Sequence, residues 1–153
     1  MARTRRDHPT LDLFRDYQPA PVVERFDADA VQAWSLAGRL SKAVSLTLNE
    51  AKMSRAEIAK AMSEHLKDEV SKATLDAYAS QAKEQHSISA LRLAALASVT
   101  SDVRALNTLL EDAGMIVVPK KFEALIMREM ADEAIERATR DRQAFDAQWK
   151  AKR

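Results

Sequence analysis

Residues 54–82, SRAEIAKAMSEHLKDEVSKATLDAYASQA, decide how this chain folds. Ser54-Arg55-Ala56-Glu57 has the S-x-x-E form in which the serine oxygen and the glutamate each satisfy an orphan amide at a helix start. Ile58, Ala59, Met62 and Leu66 then fall on one helical face, which predicts a helix to about Leu66. Lys67-Asp68-Glu69 is a polar break. Ser71 can cap a further helix whose stripe is Leu75, Tyr78, Ala79 and Ala82, ending near residues 84–86. The succession Ile58-Ala59, Met62, Val70, Leu75 and Tyr78 is the apolar signature of a helix-turn-helix, in which a small residue lets two helices approach closely. The usual turn glycine is missing, and Ser63–Glu69 stands in its place as a longer connection.

Working outward, Ser87 or Ser89 starts a fourth helix with Leu91, Leu93, Ala94, Leu96 and Ala97 dense enough for central core. A fifth, about 102–113, closes at Gly114, the residue type favoured where a helix ends left-handed. Met115-Ile116-Val117-Val118 reads as a short strand or an extended core-crossing segment. Upstream, Asp27 or Asp29 caps a first helix, about 28–52, carrying Val31, Trp34, Gly38, Val44 and Leu48. Pro9, Pro19 and Pro21 make residues 1–26 an extended arm, and Lys120–Arg153, without Gly or Pro, predicts one final helix of about 30 residues. With Gly 2 and Pro 4, the chain lacks the turn residues that sheets need. The expected fold is all-α: an extended N-terminal arm over 1–26, a helix-turn-helix-containing helical domain over 27–118, and a long C-terminal helix over 119–153.

The composition excludes much chemistry. The chain has 153 residues, Lys+Arg 24 and Asp+Glu 23, so bulk charge does not assign it to nucleic acid. Cys 0 removes disulfides, thiolate nucleophiles and cysteine-ligated metals. Two glycines cannot supply a phosphate-binding loop or a dinucleotide fingerprint. His8, His65 and His86 form no metal or catalytic array, and the helical carboxylates have capping and i,i+4 roles. The chain reads as no enzyme, without cofactor or metal, cytoplasmic, and without a membrane span or signal peptide.

SRAEIAKAMS (54–63), EVSKATLDAYASQA (69–82) and HSISALRLAAL (86–96) resemble small helix-turn-helix proteins of the early regions of Mu-like bacteriophages and prophages, over about residues 13–118. The resemblance implies phage context and DNA binding, in transcriptional regulation or transposition control.

If the helix from Ser71 reads double-stranded DNA, its stripe turns Ser71, Lys72, Ala73, Asp76, Ala77, Ser80 and Lys83 outward. Lys72 and the serines suit phosphates or base edges. Asp76 must accept from a cytosine amino group or pair with Lys72 or Lys83. Arg55 joins this set, and Arg3, Arg5 and Arg6 form a basic arm of the kind that enters a minor groove. Residues 137–153 carry a local +4. Ala131, Ile135, Ala138, Phe145 and Trp149 make an interrupted a/d seam, with Arg142 at the missing position, so a homodimer is expected; the alternative is that Phe122, Leu125, Ile126 and the later aromatics pack back onto the chain's own domain. Thr10-Leu11-Asp12-Leu13-Phe14 approaches the short motif of bacterial sliding-clamp ligands, with Thr10 in place of glutamine. The competing expectation is an adaptor that joins phage or host replication and transposition proteins without reading DNA.

Overall fold

The computed structural model describes residues 21–80 and 87–152. Among them the chain is helical and contains no strand. Seven α-helices follow in order: α1 Ala28–Val31, α2 Leu36–Glu50, α3 Arg55–Leu66, α4 Lys72–Tyr78, α5 Ala90–Thr100, α6 Arg104–Leu110 and α7 Glu123–Ala151. Single 3-10 turns, Glu111–Ala113 and Lys120–Phe122, connect α6 to α7.

The first helix expected over 28–52 is two helices. Asp27 caps α1, its carboxylate accepting from the Asp29 amide at 3.2 Å, and Ser35 caps α2, its Oγ accepting from Gly38 N at 3.0 Å. The second cap takes an amide that a continuous helix would have paired in line, so the backbone extends between them. Gly38 permits the tight turn: a Cβ there would lie 3.1 Å from Ala33 Cβ and 3.2 Å from Ser35 Oγ. Trp34, expected on the apolar stripe, falls in this connection and is fully exposed.

Both halves of the Ser54–Glu57 capping box form: Ser54 N donates to Glu57 Oε2 at 2.7 Å and Glu57 N to Ser54 Oγ at 3.3 Å. These bonds to Ser54 also hold the Glu57 carboxyl below its ordinary pKa. Helix α3 ends where Lys67 turns left-handed, φ 53°. A glycine would take that conformation without steric cost. Ser63 completes the connection, its Oγ donating to Ala59 O at 2.8 Å and accepting from Val70 N at 2.9 Å.

The core lies where α2 packs on α6 and α3 on α5, with α4 closing one side. Val44, Ile58, Met62, Leu75, Leu93 and Leu96 are the largest of its fully buried apolar side chains. Val70 and Tyr78 are buried beside them as the apolar signature requires. The fourth expected helix is α5, but Leu91 and Ala94 face outward, because its Ser89 cap sets a phase that buries Leu93, Leu96 and Ala97 instead. The expected fifth helix is shorter, α6 plus one 3-10 turn, and Gly114 closes it at φ 66°.

Met115–Val118, expected as a short strand or a core-crossing segment, is neither: it has no regular secondary structure, and Met115 and Ile116 are exposed. The segment's partner is the buried side-chain amide of Asn107, which accepts from Val117 N at 2.6 Å and donates to Val117 O at 3.2 Å. The same amide nitrogen donates to Glu24 O at 2.8 Å, so one side chain ties the segment before α1 and the segment after Gly114 to α6. The long terminal helix is present as expected, and every described residue from Glu123 to Lys152 is exposed. No described helix is long and apolar enough to cross a membrane.

Candidate nucleic-acid interface

Helix α4 is built by two opposed requirements. Leu75, fully buried, and Tyr78, 8% exposed, draw one side into the core. Ser71, Lys72 and Ala73 are left exposed, and Asp76, Ala77 and Ser80 half-buried. Ser71 caps the helix, its Oγ accepting from Thr74 N at 3.1 Å and lying 2.9 Å from Thr74 Oγ1. Its hydroxyl is therefore engaged within the protein. The helix expected over 71–84 is described as Lys72–Tyr78, with Ala79 and Ser80 following it.

The carboxylate of Asp76 pairs with Arg55 rather than with Lys72. Arg55 reaches it from the first turn of α3, Nη1 to Oδ1 2.5 Å, and holds Asn49 Oδ1 with Nη2 at 2.7 Å. The arginine fork lets one side chain hold two acceptors, Asp76 and Asn49, at once. Arg55, expected as a DNA contact, thus already has its fork on protein acceptors, and Lys72 is the exposed cation of α4 itself.

A second arginine braces the opposite end. Arg92 of α5 donates to the Tyr78 hydroxyl at 2.6 Å and to Asp68 Oδ2 at 3.0 Å, which ties the connection 67–71 and the end of α4 to the core. Sequence reading did not single out Arg92 or Asn107, and it placed Ser63 and Lys67 in the connection without the roles they take there. A lone amide inside the stripe of α6 is the one detectable signal among them, since a buried amide must find partners.

The remaining sequence expectations divide. Arg3, Arg5, Arg6, Lys83 and the Thr10–Phe14 motif lie outside the described residues. Ala131, Ile135, Ala138, Phe145 and Trp149 share α7 and are exposed, at 64% for Ile135, 67% for Phe145 and 63% for Trp149. They are not brought to α4.

One cleft of about 800 Å³ opens between the ends of α2 and α5, lined by Glu24, Thr47, Glu50, Asp102 and Arg104 among others. Three of its charges satisfy one another: Arg104 Nη2 lies 2.7 Å from Glu50 and 2.8 Å from Asp102, and the guanidinium stacks 4.2 Å above the Phe26 ring. Burial would push the Asp102 carboxyl up, but the hydrogen bonds and charge of Arg104 outweigh it and hold the carboxyl below its ordinary value. That arrangement is a structural clamp joining the ends of α2 and α5. No group of three or more metal-ligating side chains occurs among the described residues.

The chain matches no known protein family, no curated protein and no solved structure.

Proposed function

We propose that the protein binds duplex DNA through α3 and α4, used as a helix-turn-helix, and acts in transcriptional regulation or transposition control. The observation that carries this reading is the division of α4: Leu75 and Tyr78 buried, Ser71, Lys72 and Ala73 exposed. A short helix anchored by one face and bare along the other suits insertion into a major groove. The Arg55–Asp76 pair supports it, since a bare carboxylate on that face would repel the phosphates. The regulatory or transposition role rests on the resemblance read in residues 54–63, 69–82 and 86–96 alone. Two copies of the chain would offer two α4 elements to one duplex, as dimeric readers of half-sites do.

Fluorescence anisotropy of a labelled duplex, titrated at several salt concentrations, tests the proposal. Binding is expected to weaken steeply with salt, and Lys72→Glu to weaken it further while leaving the helical spectrum unchanged. Absence of binding at low salt overturns it.

The adaptor reading has one observation in its favour, the exposure of the apolar residues of α7. Large exposed apolar surfaces mark contacts with other chains.

A further inference from the structure

Helix α7 carries its charges in two blocks. Over 123–136 the acids Glu123, Glu129, Asp132, Glu133 and Glu136 face only one base, Arg128. Over 137–152 the bases Arg137, Arg140, Arg142, Lys150 and Lys152 outnumber Asp141 and Asp146. The sign changes between Glu136 and Arg137, at the midpoint of the helix Glu123–Ala151. Compensation of the helix's own dipole explains acids in the first turn and bases in the last, because that effect fades within one turn of each end. It does not explain Glu129 to Arg142, which lie well inside.

The exposed seam runs along the same helix. Ile135, Phe145 and Trp149 are its large members, with Ala124, Ala131 and Ala138 as small ones at heptad spacing. Laid antiparallel about the point where the charge changes, two such helices set Ile135 against Ala138 and Trp149 against Ala124. Large meets small in those two layers, as close packing requires, and in a third Phe145 falls against Arg128, whose guanidinium can stack on its ring. Arg142, which interrupts the seam, meets Ala131, and its long stem covers apolar surface while its head reaches the acidic block. Parallel pairing would instead lay acid on acid and base on base.

We propose that α7 is a self-association helix that pairs antiparallel with α7 of a second copy, its acidic half on the other's basic half. The pairing depends on α7 alone and requires no DNA, so it is tested without duplex and its failure leaves the reading of α4 standing. The absence of cysteine makes the test direct: Ala131→Cys and Arg142→Cys are prepared as separate full-length chains, mixed and oxidised. Both positions are exposed, so neither change disturbs the folded body.

The mixture is expected to give the crossed disulfide, position 131 of one chain to position 142 of the other, in several-fold excess over the product of either chain alone. Sedimentation of the unmodified chain is expected to show a dimer that dissociates more readily at high salt. Efficient self-linking of Ala131→Cys alone, the mark of parallel pairing, overturns the proposal. So does a monomer at hundreds of micromolar in low salt.

Discussion

Arg55 Nη1 lies 2.5 Å from Asp76 Oδ1, joining the first turn of α3 to the middle of α4 across 21 positions of sequence. Both side chains are partly exposed, so the pair is worth only about 0.5 kcal/mol to stability. Its larger effect is on the charge that α4 turns outward. Asp76→Asn is expected to raise duplex affinity about threefold to tenfold while lowering stability by less than ~1 kcal/mol. Anisotropy titration and thermal unfolding of the one variant measure both effects.

Lys67 holds a left-handed backbone at the end of α3. Lys67→Gly is expected to stabilise the fold by up to ~1 kcal/mol, the relief of the side-chain clash exceeding the extra freedom glycine gives the unfolded chain. Urea unfolding reads this as a higher midpoint at unchanged slope.

Asn107→Ala would leave Val117 N, Val117 O and Glu24 O without their partner. A loss of about 2 to 4 kcal/mol is expected for those unmade bonds. Hydrogen exchange localises the effect: the Val117 amide should lose protection earlier than the amides of α3 and α5.

The helices over 54–66 and 90–100 were legible because capping serines and apolar spacing agree there, and the same agreement placed Val70, Leu75 and Tyr78 in the core. The break between α1 and α2 was not, since Ser35 is a cap only if the chain extends before it, and Val31-x-x-Trp34 keeps helical spacing across the break. Asp76 presented itself as a problem of charge, but its solution required knowing that α3 crosses close to α4. Ile116 and Val117 read as a strand lacking a partner because the partner is a side chain rather than a backbone.

Asp102 contributes to the acid sensitivity. Its carboxyl titrates lower in the folded chain than the ordinary 3.8, so the stabilisation it brings is complete above that value and is lost as the pH falls through the lowered one. Asp102→Asn should therefore lower the melting temperature at pH 7, and the gap from the unmodified chain should close in strong acid. Melting curves across the acid range check the sign. A gap that widens on acidification would contradict it.

The central claim, that α4 meets DNA, is tested most directly by hydrogen-exchange mass spectrometry with and without a saturating duplex at low salt. Added protection is expected over the connection 67–71 and α4, Lys72–Tyr78, and is expected to vanish in Lys72→Glu. Duplex-dependent protection confined to α7, with 67–78 unchanged, would contradict the account.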